Sequence, residues 1–124
     1  MANILVIDDD PDVCLVLKYA LEEEGHTVTI AHNTHNLSTM LSPSPNIVLL
    51  DVLLPDTHGL ECLPKIQALS PSSRIVIITG VNDYRMADLF YEAGVDGFLA
   101  KPIHIATLSA TVNRVLNLVP LPSK

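Results

Sequence analysis

The sequence predicts a single α/β domain in which five strands alternate with five helices and pair into one parallel sheet covered by helices on both faces. Short runs of apolar residues recur along the 124 residues and end in turn residues, as expected for strands buried on both faces. Stretches with apolar residues at helical spacing separate these runs. The composition, 48% hydrophobic and 17% charged, suits one sizeable core and leaves little room for a second domain.

The first two strands and the helix between them have clear boundaries. Residues 3–7 form an apolar run, and Pro11 suits the first turn of a helix that we expect to cover residues 11–24. Gly25 provides a helix stop, and the β-branched run of residues 27–31 predicts the second strand. The helix has one apolar face, formed by Val13, Leu17, Ala20 and Leu21.

The third unit contains a strand that ends in a carboxylate. A short helix is predicted over residues 34–41, and the prolines within residues 42–45 end it because each disfavours a helical conformation in its predecessor. Residues 47–50 are all apolar and predict the third strand, which ends abruptly at Asp51. An Asp at that position either opens a turn or does chemistry, and other parts of the sequence decide between the two.

The remaining elements follow the same alternation. We predict helices over residues 59–69, 84–93 and 105–118 and strands over residues 74–79 and 97–100. Pro64 is compatible with its helix only while it lies near the first turn. The last helix has an inner stripe formed by Leu108, Val112, Val115 and Leu116. We expect residues 1–119 to form the domain and residues 120–124 to be a C-terminal tail or the start of a linker.

Charge and cysteine content argue against several classes of function. The net charge of -7, with only seven Lys and Arg residues, disfavours a surface that binds DNA or RNA directly. Cys14 and Cys62 lack the spacing of a metal site and suit small buried residues in a reducing, cytoplasmic compartment. Residues 1–7 are too short and uncharged for a secretory signal, and no apolar run reaches the roughly 18 residues of a membrane helix.

Polar side chains follow four of the five predicted strands. Because the carboxyl ends of parallel strands lie on one edge of the sheet, we expect five residues to converge there: Asp8, Asp9, Asp51, Thr79 and Lys101. Three carboxylates packed together repel one another and raise each other's pKa unless a cation neutralises them. Oxygen ligands of this kind suit Mg²⁺. The sequence therefore predicts a magnesium site at this edge.

The same residues predict phosphoryl transfer. A metal held by carboxylates, beside the Lys101 ammonium and the Thr79 hydroxyl, offers positive charge and a hydrogen-bond donor to the oxygens of an incoming phosphoryl group. Asp51 would be the nucleophile, because carboxylates form acyl phosphates without a Ser-His pair or a reactive cysteine.

Other acidic residues and the histidines are interpreted structurally. Asp10 and Asp12 fit the N-terminal turn of the first helix, where the helix dipole favours negative charge. None of the five histidines has the pattern of a ligand or a base, and none is assigned a catalytic role: His26, His32, His35, His58 and His104.

The converging residues make the sequence resemble the receiver domains of two-component response regulators over nearly the whole chain. The matching positions occur in the family's order and in plausible spacing: the acidic pair Asp8 and Asp9, the phosphoacceptor Asp51, the hydroxyl residue Thr79 and the lysine and proline at Lys101 and Pro102. Residues 51–59 also look like the family's loop. Each element is weak alone, whereas the set is highly specific.

The resemblance implies a flavodoxin-like fold with strand order 2-1-3-4-5. It also implies that Mg²⁺ is held by Asp8, Asp9, Asp51 and the backbone carbonyl of Leu53. The phosphoryl donor would be a histidine kinase or a histidine phosphotransfer protein.

The resemblance further implies a conformational switch. Thr79 and Phe98 would be the switch residues, and the peptide bond before Pro102 would be cis. Phosphorylation would alter the face built from the fourth helix, the fifth strand and the fifth helix. That face would control an effector domain or a protein partner, or form a homodimer.

Two alternatives to a phosphorylation-controlled switch stay open. A small Mg²⁺-dependent phosphohydrolase would also use an aspartyl-phosphate, but such an enzyme usually has a second acid two residues after the nucleophile, where this chain has Leu53. A pseudo-receiver that binds partners without phosphorylation is disfavoured because every expected site residue is present. We therefore expect a domain that assists only its own phosphorylation and dephosphorylation, not an enzyme.

The phosphoryl group is expected to be lost slowly. In the family, the positions two residues after the phosphoacceptor and two after the hydroxyl residue flank the phosphoryl group, and here they are Leu53 and Val81. Both side chains obstruct water without offering it a hydrogen bond.

Overall fold

The computed structural model describes residues 1–80 and 84–118. Strands and helices alternate along the chain as β1 (Asn3–Ile7), α1 (Pro11–Glu23), β2 (Thr27–Ala31), α2 (Leu37–Met40), β3 (Ile47–Asp51), α3 (Gly59–Leu69), β4 (Arg74–Thr79), α4 (Tyr84–Glu92), β5 (Gly97–Ala100) and α5 (Ile105–Leu116). Among the described residues, none of the helices combines the length and the apolar character that crossing a membrane requires.

The five strands form one parallel sheet in the order β2-β1-β3-β4-β5. The predicted fold class and strand order are therefore confirmed. Ile7 pairs with both Ala31 and Leu50, and Thr79 pairs with Ala100. This register brings the carboxyl ends of the strands level, so the residues that follow them share one edge.

The sheet is buried on both faces because successive side chains of each strand point to opposite sides. One core packs α1 and α5 against a first set of strand residues: Ile4, Val6, Ile47, Leu49, Val76 and Ile78. The other core packs α2, α3 and α4 against the alternate set: Leu5, Ile7, Val48, Leu50, Ile75 and Ile77. Burying one such side chain contributes about 1.5 to 3 kcal/mol, so the two cores hold the strand ends firmly in place.

Helix α1 begins as the sequence predicts. The Asp10 side chain caps it by accepting hydrogen bonds from the backbone N–H groups of Asp12, at 2.9 Å, and Val13, at 3.4 Å. Leu17, Ala20 and Leu21 are buried, whereas Val13 is half-buried because the neighbouring Cys14 takes the fully buried position. The helix ends one residue before the predicted position, and Gly25 follows with φ +92°.

Three further helix predictions need correction at their ends. Helix α2 covers Leu37–Met40, not residues 34–41, because Thr34 and His35 make hydrogen bonds in the preceding loop. Helix α4 ends at Glu92, one residue early, before Gly94 with φ +98°. Helix α5 ends at Leu116, where the side chain of its cap Asn117 turns back onto the carbonyl of Asn113.

Pro64 lies within α3, which has the predicted bounds, but beyond its first turn. It is the sixth residue of a helix that begins at Gly59 and continues to Leu69. A proline there removes one intrahelical donor, the N–H that would reach the carbonyl of Leu60 near the helix start. Its ring is exposed, and the buried face of the helix, which includes Leu63 and Ile66, holds α3 on the sheet.

Candidate functional site

Asp8 follows β1 and is 0% exposed. Its backbone N–H donates to the carbonyl of Ala31 at 3.0 Å, and its Oδ1 accepts from the backbone N–H of Asp10 at 2.9 Å. The Asp8 carbonyl accepts the Cys14 thiol at 3.2 Å and lies 3.0 Å from Nδ1 of His32. Both the backbone and the carboxylate of Asp8 are therefore fixed in the folded chain.

Asp51 is the last residue of β3 and is 5% exposed. It pairs with Ile78 in the sheet, and the next residue, Val52, donates its N–H to the Ile78 carbonyl at 3.1 Å. Helix α3 starts immediately beside it at Gly59. A Cβ at Gly59 would lie 3.0 Å from Cα of Val52 and 3.2 Å from the carbonyl oxygen of Asp51, so the close approach favours glycine.

Lys101 brings a positive charge to both carboxylates. Its Nζ lies 3.1 Å from Oδ2 of Asp8 and donates to Oδ2 of Asp51 at 3.4 Å. The Lys101 N–H donates to the carbonyl of Thr79 at 2.7 Å, and the peptide bond to Pro102 is cis, as the resemblance implied. The turn after β5 thus directs the lysine across the edge of the sheet.

Thr79 lies on β4, next to β3, and Phe98 lies on β5, the strand beyond it. Thr79 ends β4 and is 1% exposed, and its backbone carbonyl anchors Lys101. Phe98 lies in β5 and is half-buried, with its ring centroid 6.2 Å from that of Phe90 at a tilt of 52°. Phe90 is fully buried in α4, so the two rings connect β5 to the helix beside it.

The three carboxylates Asp8, Asp9 and Asp51 form a group with the chemistry of a divalent-cation site. One oxygen from each lies within 4.8 Å of the others, and Asp9 is exposed to solvent. Oδ2 of Asp8 is buried, and within the described part of the chain it accepts no hydrogen bond, although Lys101 is close. Carboxylate oxygens are hard donors, and the exposed Asp9 leaves room for water ligands. Both properties fit Mg²⁺.

Burial and charge shift the pKa values of the site. Burial, and then the negative charge of Asp8, raise the pKa of Asp51 to about 6, although Lys101 acts in the opposite direction. Burial alone would lower the pKa of Lys101, but Asp8 and Asp51 outweigh it and raise that pKa, so the lysine stays cationic. Burial also raises the pKa of Cys14 to about 11, with Asp8 adding to the effect, so this thiol is not a nucleophile at neutral pH.

The loop from β3 to α3 closes one side of the site. Leu53 and His58 form an antiparallel bridge, and the N–H of Leu54 donates to the carbonyl of Thr57 at 3.1 Å. Leu53 is 59% exposed, beside a nearly buried Asp51. Val81, the second residue expected to flank a phosphoryl group, lies outside the described residues.

The structure thus brings together the carboxylates and the lysine that the sequence predicts, with Thr79 at the same strand edge. It also gives two histidines contacts that sequence analysis missed. His58 caps α3 by accepting the N–H of Leu60 through Nδ1 at 3.1 Å, and its position just before Gly59 was a usable signal. His32 contacts Asp8 across 24 positions of sequence, and no local pattern predicts that contact.

Comparison with known proteins identifies the family. The profile described as the response regulator receiver domain matches residues 4–113. The chain belongs to the response regulator receiver domain family. It is therefore a receiver domain of two-component systems, and its relatives are signalling phosphoacceptors.

Individual relatives agree with this assignment. The receiver is 33% identical over 117 residues to the DNA-binding transcriptional regulator NtrC of Azospirillum brasilense, covering 94% of this chain and 24% of NtrC. A two-component response regulator from Clostridium difficile has a crystal structure that matches with a TM-score of 0.87 at 30% identity, covering 94% of this chain and 96% of that one.

A third relative has been crystallised with ligands. The response regulator from Burkholderia pseudomallei, solved with a phosphorylated aspartic acid, a calcium ion and citrate, matches with a TM-score of 0.81 at 28% identity, covering 90% of this chain and 66% of that one. The receiver spans between about a quarter and a half of the length of the first curated relatives it matches.

Proposed function

We propose that this receiver is a phosphorylation-controlled switch in which Asp51 accepts a phosphoryl group from a histidine kinase or a histidine phosphotransfer protein. One observation carries the proposal: a single lysine, Lys101, lies 3.1 Å from Asp8 and 3.4 Å from Asp51 at the carboxyl edge of the sheet. A nearly buried nucleophile, a second carboxylate and a fixed cation suit phosphoryl transfer, which depends mainly on positioning and charge neutralisation.

The chain's own residues account for the chemistry of transfer. A carboxylate oxygen of Asp51 attacks phosphorus, and the bond between phosphorus and the donor's imidazole nitrogen breaks as the new oxygen-phosphorus bond forms. The nitrogen keeps the electron pair of the broken bond. Lys101 offers positive charge to the phosphoryl oxygens, and the Thr79 hydroxyl donates to one of them.

Asp8, Asp9 and Asp51, with the backbone carbonyl of Leu53, would hold Mg²⁺. The metal would neutralise the negative charge that accumulates on the phosphoryl oxygens. The close approach of the three carboxylates and the buried Oδ2 of Asp8 support this assignment. The structure of the Burkholderia pseudomallei relative, which contains a phosphorylated aspartic acid and a calcium ion, also supports this assignment.

Phosphorylation would be transmitted through Thr79 and Phe98. Attraction of the Thr79 hydroxyl toward the phosphoryl group would free space for Phe98 to move inward, against Phe90. Because Phe98 has no hydroxyl, only packing holds each of its positions, and the two states would be less sharply separated. Beryllofluoride-induced NMR shift changes confined to β1 and β2 would contradict this route.

The surface that changes would be built from α4, β5 and α5. Leu89 and Tyr91 on α4 and Ile105 on α5 are exposed large apolar side chains, which suits contact with an effector, a protein partner or a second copy of the domain. The NtrC relative is a DNA-binding transcriptional regulator four times as long as the matched region, so an effector domain is one such partner. Residues 1–119 would be the receiver and residues 120–124 a tail or the start of a linker, in a cytoplasmic protein.

Intact-mass spectrometry tests the proposal and separates its alternatives. With acetyl phosphate and Mg²⁺, the native chain should gain the mass of one phosphoryl group. The exposed-site control Asp12→Asn should gain it too, whereas Asp51→Asn and the EDTA-treated chain should not. Turnover of acetyl phosphate without an adduct on the chain would indicate a phosphohydrolase. Neither adduct nor turnover would indicate a pseudo-receiver.

A further inference from the structure

The segment between β2 and α2 contacts both loops that carry the acidic residues. On one side, Nδ1 of His32 lies 3.0 Å from the backbone carbonyl of Asp8. On the other side, Thr34 hydrogen-bonds to Asp56, which lies in the loop between Asp51 and α3. His32 and Thr34, two positions apart in sequence, therefore connect the loop after β1 to the loop after β3.

The contact with Asp56 is built from converging donors. The backbone N–H of Thr34 donates to Oδ2 of Asp56 at 3.1 Å, and its hydroxyl donates to the same oxygen at 2.5 Å. Nε2 of His35 lies 3.6 Å from that oxygen. The hydrogen bond from the Thr34 hydroxyl is the main cause of a lowered pKa at Asp56. Hydrogen bonds donated to a carboxylate favour its ionised form.

The contact with Asp8 acts on the backbone rather than on the carboxylate. For His32 to donate to the Asp8 carbonyl, its proton must be on Nδ1. The same carbonyl also accepts the Cys14 thiol at 3.2 Å, so two donors from different elements hold it. Because the carbonyl and the carboxylate belong to one residue, fixing the carbonyl restricts where the carboxylate can point.

We propose that residues 32–35 are a brace that positions the metal ligands, with His32 and Thr34 as its two positioning residues. The proposal rests on the proposed function in taking Asp8 and the Leu53 carbonyl as ligands of Mg²⁺. Leu53 lies only three positions before Asp56, in a loop folded back by the Leu53 to His58 bridge. The hydrogen bonds to Asp56 therefore limit the movement of the part of the loop that contains Leu53.

The brace explains why residues 34–36 are not helical. A helix over these residues would turn the Thr34 hydroxyl and N–H into its own first turn, away from Asp56. Instead the N–H of His35 donates to the side chain of Asn33 at 3.0 Å, and α2 begins only at Leu37. The helix is reduced to four residues while the preceding loop keeps its contacts with both neighbours.

Thr34→Val tests the Asp56 side because valine keeps the shape of threonine and removes only the hydroxyl. Thr34→Ser restores the hydroxyl, and Thr39→Val is a matched control at an exposed position of α2. Mg²⁺ affinity is measured by NMR titration of backbone amides. We expect Thr34→Val to weaken binding about tenfold, in the range typical for residues that orient metal ligands, with recovery in Thr34→Ser and no change in Thr39→Val.

His32→Ala and His32→Asn test the Asp8 side in the same titration. The amide of asparagine can donate near the position of Nδ1, so His32→Asn should bind Mg²⁺ more tightly than His32→Ala. Thermal unfolding with EDTA and with Mg²⁺ distinguishes positioning from plain structural support. A positioning residue reduces the gain in Tm that Mg²⁺ produces, whereas a structural contact lowers Tm equally in both conditions.

The outcomes of this experiment are separable from those of the proposed function. Unchanged Mg²⁺ affinity in Thr34→Val and His32→Ala, or an equal loss of Tm with and without metal, would overturn the brace while leaving phosphorylation of Asp51 intact. Weakened Mg²⁺ binding in a chain that acetyl phosphate never modifies would support the brace and contradict the proposed function.

Discussion

The ammonium of Lys101 lies 3.1 Å from Oδ2 of Asp8, a buried carboxylate oxygen that accepts no hydrogen bond within the described part of the chain. Lys101 is therefore the positive charge that stabilises this oxygen of Asp8. Removing the cation would leave two carboxylates, Asp8 and Asp51, close together at a nearly dry strand edge. A buried charge that has lost its partner is costly, and a divalent cation is the natural replacement for the lysine.

Lys101→Met should destabilise the metal-free receiver. Methionine keeps much of the apolar stem and removes the charge, so we expect a loss of about 1 to 3 kcal/mol in the free energy of unfolding, at the lower end because Lys101 is partly exposed. Urea denaturation in EDTA measures the loss, and Mg²⁺ should restore more stability to the variant than to the native chain. Lys65→Met, at an exposed position of α3, is the control. A variant as stable as the native chain in EDTA would show that Lys101 does not stabilise the carboxylates.

Asp51→Asn should stabilise the metal-free receiver at neutral pH. The pKa of Asp51 is raised to about 6 in the folded chain, because of burial and then Asp8, against about 3.9 in an unfolded chain. Between these values the folded state binds more protons, so the stability of the native chain falls as pH rises through the window. Asp51→Asn does not lose stability in this way because it has no carboxyl group to ionise at position 51. Lys101 keeps Asp8 as its partner.

The expected gain for Asp51→Asn is about 2 kcal/mol above pH 6 and much less near pH 4. Urea titrations in EDTA across this range measure it, with Asp88→Asn on α4 as a surface control that should follow the native chain. An advantage that is constant with pH would mean that the asparagine acts through packing or hydrogen bonding and not through the charge of Asp51.

Gly59→Ala should disturb the site from the start of α3. The added Cβ would approach two backbone atoms, Cα of Val52 at 3.0 Å and the carbonyl oxygen of Asp51 at 3.2 Å, and backbone cannot move aside cheaply. We expect a loss of about 1 to 3 kcal/mol in urea denaturation. Gly80→Ala is the matched control because its Cβ would have no atom within 4 Å. Equal stability of the two variants would indicate that α3 shifts to accommodate the methyl group.

Leu53→Asn should shorten the lifetime of phosphorylated Asp51. Leu53 is 59% exposed beside the site, and its side chain offers no hydrogen bond to an attacking water, whereas an asparagine amide can orient one. A tenfold faster loss requires a barrier lower by only about 1.4 kcal/mol. Decay of the phosphorylated chain in saturating Mg²⁺ measures the effect, and Val81→Glu tests the second flanking position. If neither substitution accelerates decay, water access at these positions does not limit the lifetime.

Much of the fold and of the site follows from where apolar runs stop. The runs before Asp8 and Asp51 end abruptly in a carboxylate, and a parallel sheet then has to bring those ends to one edge. The charges of Asp8, Asp51 and Lys101 are close for that reason, and local sequence was enough to predict it.

Contacts between distant loops were beyond the same reasoning. The shortening of α2 depends on the hydrogen bond between Thr34 and Asp56, which is 22 positions away. Helix propensity is a local property and cannot predict that contact. The contact of His32 with Asp8 likewise depends on β2 lying beside β1 in a particular register. Helix α3 keeps its predicted bounds although Pro64 lies beyond the first turn, because packing of Leu63 and Ile66 on the sheet outweighs the lost hydrogen bond.

Mapping the phosphorylated residue tests the central claim most directly. An aspartyl-phosphate is reduced by borohydride to homoserine, and tandem mass spectrometry of the digested chain locates that residue after treatment with acetyl phosphate and Mg²⁺. The account predicts homoserine at position 51, absent when Mg²⁺ is replaced by EDTA. Homoserine at position 8 or 9 with Asp51 intact, or a phosphoryl group on a histidine or hydroxyl residue instead, would contradict it.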